Sequence, residues 1–231
     1  MDNIKNTFEE INLNGYKIHI FKNKVKIFNH ENLTFDQFKS TSDRLVYYLM
    51  AEGFIDTKMK IKVFVHLNDL PGAFDVMSEQ LTLASESGLL DAADEVVLCT
   101  NGKPESFNGA KEVLAEYENV TFVHTSDSAG NWEYPTLDLL HQECASVPEE
   151  ECYICYFHLK GLSRPNDAKA VEWRQYLNYW TIERWEDNVK KLDEGMDTVG
   201  VDFIEAPWPH YSGNFWWARA SYIRKIGRAH V

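Results

Sequence analysis

The sequence predicts an α/β fold, a mostly parallel sheet flanked by helices, preceded by an N-terminal β-hairpin plus helix appendage. Three observations point there. Short runs rich in β-branched and aromatic residues alternate along the chain with segments of helical periodicity. The connections between them are short, which favours strand–helix–strand crossovers within one sheet. One run, Cys152-Tyr153-Ile154-Cys155-Tyr156-Phe157, is apolar throughout and ends abruptly in His158-Leu159-Lys160-Gly161. A parallel strand that delivers polar groups to the carboxyl edge of a sheet has that pattern.

Taken in order, residues 16–21 (YKIHIF) and 24–29 (KVKIFN) read as a hairpin joined by Lys22-Asn23. A helix is expected over about 35–51, ending near Gly53. Residues 1–56 are therefore expected to form an accessory segment and 57–225 the main domain. That domain opens with a strand over 60–67, a helix over 73–87 stopped at Gly88, and a strand over 95–100. A helix over 110–118, a strand over 120–124, a helix over 135–146 and the strand 152–157 follow. Next comes a long helix over 168–192 with an oddity. Trp173, Leu177 and Trp180 share one face, whereas Ile182, Trp185, Val189 and Leu192 lie roughly opposite. Such a helix must bury both sides or bend near Trp180. Strands over 198–205 and 215–218 and a helix from near Ala220 complete the pattern. The last six residues, Ile226-Gly227-Arg228-Ala229-His230-Val231, are what one frame of a sequencing-adapter oligonucleotide would encode. On that reading they are a non-native tail and the natural protein continues past Lys225.

The chain has 231 residues and a net charge of -13, which argues against a nucleic-acid-binding surface, because such a surface needs a basic footprint. One bound nucleotide needs only local cations. No apolar run approaches a bilayer span and no signal-peptide core follows Met1, so a cytoplasmic protein without a membrane span is expected. The 4 cysteines fit a reducing compartment. Cys152 and Cys155 have CxxC spacing, yet strand residues three apart face opposite sides, so both are expected in the core.

Ligands of open α/β sheets bind outside the carboxyl ends of the strands. Those ends carry His66 and Asn68, Asn101 and Gly102, His124 with Ser126 and Asp127, and His158 with Lys160. Three histidines at one edge point to a polar site. Lys160 suits a diphosphate as a compact cation, and Gly161 lets backbone approach closely. His158 could instead ligate a divalent metal, with His210 as a second candidate. The segment Pro209-His210-Tyr211-Ser212-Gly213-Asn214-Phe215-Trp216-Trp217 sets small flexible residues before aromatics, a composition suited to holding a sugar ring against an apolar wall. No GxGxxG fingerprint or GxxxxGK[ST] phosphate loop is present.

The segments Ser78-Glu79-Gln80-Leu81, Ser87-Gly88-Leu89, Tyr134-Pro135-Thr136-Leu137, Tyr156-Phe157-His158-Leu159-Lys160-Gly161, Trp173-Arg174-Gln175-Tyr176 and Ser212-Gly213-Asn214-Phe215-Trp216-Trp217 stand in a telling order. Over about residues 60–225 the chain resembles a family of small GT-A-type glycosyltransferases of bacteria, phages and large DNA viruses, including one from a chlorella virus. The resemblance implies a GT-A-like, Rossmann-related fold. It also implies hexosyl transfer from a nucleotide diphosphate, UDP favoured, to a glycan or glycoprotein hydroxyl. Related enzymes use Mn²⁺ or Mg²⁺ held by an Asp-x-Asp pair, where this chain has His158-Leu159-Lys160. Either His158 shares a metal with a distant group or Lys160 itself balances the leaving diphosphate. By position, His66, Asn68, Asn101 and Asp127 would face the nucleotide. Ser212, Gly213 and Asn214 would face the donor sugar, and Trp216 or Trp217 would wall the sugar or acceptor site. Asp202, with Glu205 one of the carboxylates nearest in sequence, is the candidate base. Another nucleotide-dependent transferase and a non-catalytic glycan-binding module are the alternatives.

Overall fold

The computed structural model describes residues 9–13, 16–21, 24–28, 59–115, 117–147, 152–164 and 167–227. The chain divides into two compact units, Met1–Lys58 and Met59–Val231, close to the boundary expected after residue 56. In the first unit, β1 (Glu9–Leu13), β2 (Tyr16–Phe21) and β3 (Lys24–Phe28) form an antiparallel sheet in the order β1-β2-β3. The β2–β3 ladder closes on Phe21↔Lys24, which leaves Lys22-Asn23 as the hairpin turn. β1 was not anticipated, because Glu-Glu-Ile-Asn-Leu is too short and polar to signal a strand alone. The helix expected over 35–51 and the tail residues 228–231 lie outside the described residues.

The second unit is built on a 6-stranded sheet in the order β6-β5-β4-β7-β11-β8. Its strands are β4 (Lys60–Asn68), β5 (Glu95–Asn101), β6 (Val120–Ser126), β7 (Cys152–His158), β8 (Thr198–Gly200) and β11 (Trp216–Arg219). The pairs β4–β5, β5–β6 and β4–β7 are parallel, and β11 runs antiparallel to both of its neighbours. The chain therefore starts in the middle, winds outward to β6 and returns to the other side of β4. This reversal leaves a crevice between the carboxyl ends of β4 and β7, where open α/β sheets bind ligands. His66 and His158 are paired there in register, and His124 stands at the same edge, on β6.

Period-2 alternation sends the strand residues into two cores. Val63, Val65, Leu67, Phe157 and Trp217 join Met77, Leu81, Leu177 and Ile182 on one face. Phe64, Ile154, Tyr156 and Trp216 join Leu140, Cys144 and Ile223 on the other. Every residue of β7 is buried, which explains its unbroken apolar run. Cys152 and Cys155 fall into opposite cores, and all four cysteines are buried without a disulfide.

The long helix is interrupted. An α-helix over Ala168–Asn178 passes into a π-turn over Tyr179–Glu183 and resumes as Trp185–Asp193. The wider turn resolves the conflict of faces seen in the sequence by rotating Leu177 and Ile182 into the same core. Backbone oxygens in and just after the π-turn find side-chain partners. Asn188 Nδ2 donates to Trp180 O at 2.7 Å and Arg184 O at 3.2 Å, and Trp217 Nε1 donates to Thr181 O at 2.9 Å. The strand expected over 198–205 is likewise broken. Asp202 takes a left-handed φ of 48°, and β9 (Phe203–Ile204) turns away to pair with β10 (His210–Tyr211). No helix among the described residues is long and apolar enough to cross a membrane.

Candidate functional site

Two helices hold the end of β7 by its carbonyl groups. Gln80 Nε2 donates to His158 O at 3.0 Å and to Asn178 Oδ1 at 3.0 Å. Arg174 forms a bidentate pair with Glu79, at 2.9 Å and 3.3 Å, and its Nη1 donates to Lys160 O at 3.3 Å. Gly161 has a φ of 88°, and a Cβ there would sit 3.3 Å from that Arg174 Nη1. The Glu79-Gln80 and Arg174 segments thus fix where Lys160 projects.

His66 is 3% exposed, with Nδ1 2.9 Å from Thr136 Oγ1 and no hydrogen-bond partner at Nε2. Burial, helped by nearby His158 and opposed by Glu133, lowers its pKa to about 4, so the ring is neutral at pH 7. His158 Nε2 donates to Gly213 O at 2.9 Å, which leaves Nδ1 unprotonated in the neutral ring. Its pKa is lowered too, chiefly by burial and with a contribution from Lys160, although Glu133 and the Gly213 bond act in the opposite direction. His158 Nε2 approaches Glu133 Oε1 at 3.6 Å, and each group favours the charged form of the other against the effect of burial.

Glu133 was not singled out from the sequence, nor were Trp132, Arg164, Lys169 and Trp208, which line the cavities described below. Glu133 stands immediately before the Tyr134–Ser146 helix, with its side chain 26% exposed, and accepts hydrogen bonds from Tyr156 Oη at 3.0 Å and from Asn214 Nδ2. Burial pushes its carboxyl upward, but His158, the Asn214 and Tyr156 hydrogen bonds and His66 outweigh it and hold the group below the usual range. Asn214 also accepts from Trp216 Nε1 at 3.0 Å. Gly213 and Asn214 adopt left-handed φ values of 82° and 57°, and a Cβ on Gly213 would lie 2.6 Å from Leu177 Cδ1. The Ser212-Gly213-Asn214 turn is therefore a clamp. It offers one carbonyl to His158 and one amide to Glu133.

Around this network lie two cavities. The first, of about 490 Å³, is lined by His66, Asn68, His158 and Lys160, with Arg164, Lys169 and Asp167 around it and Trp132 and Trp173 as aromatic walls. The second, of about 460 Å³, is lined by Trp208, His210, Tyr211, Gly213 and Asn214. Trp132, Glu133 and Lys160 line both. Burial lowers the pKa of Lys160 while Glu133 opposes that shift, so the carboxylate favours the charged ammonium. Asn68 Oδ1 joins His66 Nε2 as a buried polar atom without a protein partner.

Other expected site residues lie elsewhere. Asn101 is fully buried and acts as a bracket, donating to Trp132 O at 2.6 Å and accepting from Thr125 Oγ1 at 2.6 Å. The side chain of Asp127 is 99% exposed and bonds His124 at 2.8 Å, outside both cavities. Asp202 sits on an exposed turn, and Ser212 donates its backbone N–H to Val201 O and Asp202 O. Trp216 and Trp217 do not wall a cavity. Adjacent strand residues enter opposite cores, and both indoles are buried there.

His158 and His210, the two candidate metal ligands, do not share a cavity. His158 lines the first cavity and His210 the second, and no group of three or more His, Cys, Asp or Glu side chains among the described residues could hold a metal ion. His158 Nε2 is committed to a carbonyl, and Glu133 Oε2 already accepts two hydrogen bonds. Mn²⁺ and Mg²⁺ prefer several carboxylate or carbonyl oxygens, and Glu133 and Asp167 are the carboxylates lining the first cavity.

Residues 61–229 match the family described as Domain of unknown function (DUF8361). The chain belongs to that family. No curated protein matches it. Among solved structures, the chain is similar to Rv0371c from Mycobacterium tuberculosis H37Rv. The two share 14% identity over 76% of this chain and 79% of the other, with a TM-score of 0.42.

Proposed function

We propose that the domain is a GT-A-like glycosyltransferase that moves a hexosyl group from a nucleotide diphosphate, UDP favoured, to a glycan or glycoprotein hydroxyl in the cytoplasm. One observation carries the reading. Lys160, Arg164 and Lys169 line, with the carboxylates Glu133 and Asp167, a cavity at the β4–β7 switch point of a chain whose net charge is -13. Such a local excess of cations suits a diphosphate, and about 490 Å³ falls within the usual size of small-molecule sites. In transfer, the bond between the anomeric carbon and the phosphate oxygen breaks and its electron pair stays on the diphosphate. The acceptor oxygen bonds to that carbon and releases its proton to solvent. Lys160 stabilises the charge building on the leaving group, and Glu133 favours the charged form of the lysine against the effect of burial. Arg164 and Lys169, which line the same cavity, would add to the positive charge that faces the diphosphate. His66 Nε2 and Asn68 Oδ1 offer hydrogen bonds to the nucleotide. Glu133, held ionised below the usual carboxyl range, serves as a counter-charge and is a weak proton acceptor.

Calorimetry with UDP, GDP and CMP, each with and without Mn²⁺, tests this. Binding of a nucleoside diphosphate without metal is expected. A protein that ignores all three nucleotides but binds sugars is a glycan-binding module, the reading that the exposed aromatic residues of the second cavity would then favour.

A further inference from the structure

The second cavity has the chemistry of a sugar site. A pyranose has an apolar face of C–H groups and a rim of hydroxyls, so it binds where aromatic faces stand beside polar groups. Three large aromatic side chains lining this cavity are more than half exposed: Trp132 at 58%, Tyr134 at 63% and Trp208 at 66%. Apolar surface gathered around one concavity marks a ligand site rather than ordinary exposure.

These rings stand on fastened backbone. Trp132 takes a left-handed φ of 49°, an uncommon conformation for a bulky residue, and its carbonyl is gripped by Asn101 at 2.6 Å. The carbonyl of Trp208 accepts from His210 Nδ1 at 2.8 Å. Tyr211 is bonded to Thr198 at 2.8 Å and its ring lies against Gly200, where a Cβ would come within 2.5 Å of it. Backbone held in this way loses little freedom when a ligand arrives, which favours binding. Polar partners stand beside them. His210 donates through Nδ1, so in the neutral ring Nε2 is an acceptor, while Glu133 and Lys160 stand at the junction with the first cavity.

We propose that the second cavity is a pyranose-binding acceptor subsite, with Trp132 and Trp208 as stacking surfaces and Glu133, Lys160 and His210 as hydroxyl partners. The term acceptor rests on the glycosyltransferase reading, whereas the binding of a pyranose does not. The shared Trp132–Glu133–Lys160 wall is where a sugar held in one cavity and a hydroxyl held in the other would meet.

Saturation-transfer NMR of the full chain with methyl glycosides of glucose, galactose, mannose and fucose tests the subsite directly. At least one glycoside should show transfer concentrated on its ring C–H protons. That signal should fall at least fivefold in Trp208→Ala and in Trp132→Ala, each checked for an unchanged melting temperature. It should persist in Arg164→Ala/Lys169→Ala, which alters only the first cavity and should weaken UDP instead. Absence of signal with all four glycosides, a signal insensitive to both tryptophans, or competition of UDP for Trp208, which lines the second cavity alone, would overturn the subsite. Loss of UDP binding in all forms with glycoside binding intact would remove the transferase reading and leave the subsite standing.

Discussion

At the residue scale, Lys160 and His66 make opposite demands on the same cavity. Lys160 must stay charged. Removing a charge-assisted contact to phosphate costs roughly 1.5–3 kcal/mol, so Lys160→Ala should weaken UDP binding by about ten- to a hundredfold. Thermal stability should hardly change, because the side chain lies at the cavity wall. Unchanged affinity in calorimetry would take Lys160 out of the site. His66 must stay neutral. Its folded pKa of about 4 lies below the reference of 6.5, so the unfolded chain binds more protons between those values and stability rises with pH. The contribution is complete above about 6.5 and is lost as pH falls towards 4, on the order of 3 kcal/mol in total. Denaturant titrations at pH 7 and pH 4.5 should show a smaller difference for His66→Gln than for the unsubstituted protein. A slope that His66→Gln leaves as steep would assign it to other groups. His66, Asn68, His158 and Lys160 were legible because strand ends are visible as the last residues of apolar runs. Glu133 was not. It lies in a loop without a motif, and only the fold carries that loop over the β4–β7 gap to meet Tyr156 and Asn214.

At the scale of elements, most strands and helices followed from periodicity, while their interruptions depended on partners far away in sequence. The opposed faces of 168–192 left two outcomes open, burial of both sides or a bend near Trp180, and the chain bends. That the bend would be a π-turn depends on Asn188 and Trp217, which supply donors to its backbone. The Trp216-Trp217 pair shows the reverse case. Strand parity foretold that the two would face opposite ways, but not that both faces were already core. The Ser212–Asn214 turn gives a sharp test. In Gly213→Ala the methyl meets Leu177 Cδ1 and the left-handed backbone is strained, at a cost of about 1–3 kcal/mol. Since this turn presents Asn214 to Glu133, chemical denaturation should show the loss of stability together with weaker ligand binding. A variant with full stability would mean that the turn relaxes freely.

At the scale of the molecule, the unit Met59–Val231 contains the whole 6-stranded sheet, both cores and both cavities. A unit with its own hydrophobic core is expected to fold alone. Residues 59–231 produced without the first 58 should therefore melt in one cooperative transition and bind UDP as the full chain does. Aggregation or loss of binding would show that the amino-terminal unit is required. The sheet order was legible only in outline. Alternation foretold a parallel sheet, but the antiparallel β11 between β7 and β8 is a long-range pairing that no local pattern specifies.

The four buried thiols supply a clock. Burial pushes Cys99 and Cys144 up to about 12 and holds Cys155 well above its usual value, so the reactive thiolate is scarce in the native state. Cys155 lies in one core and Cys99, Cys144 and Cys152 in the other. Alkylating reagents can reach the fully buried Cys99 and Cys155, one in each core, only when the layers part. The rate of labelling at each position therefore reports how often that face opens, and unequal rates would reveal that one layer of helices lifts away before the other.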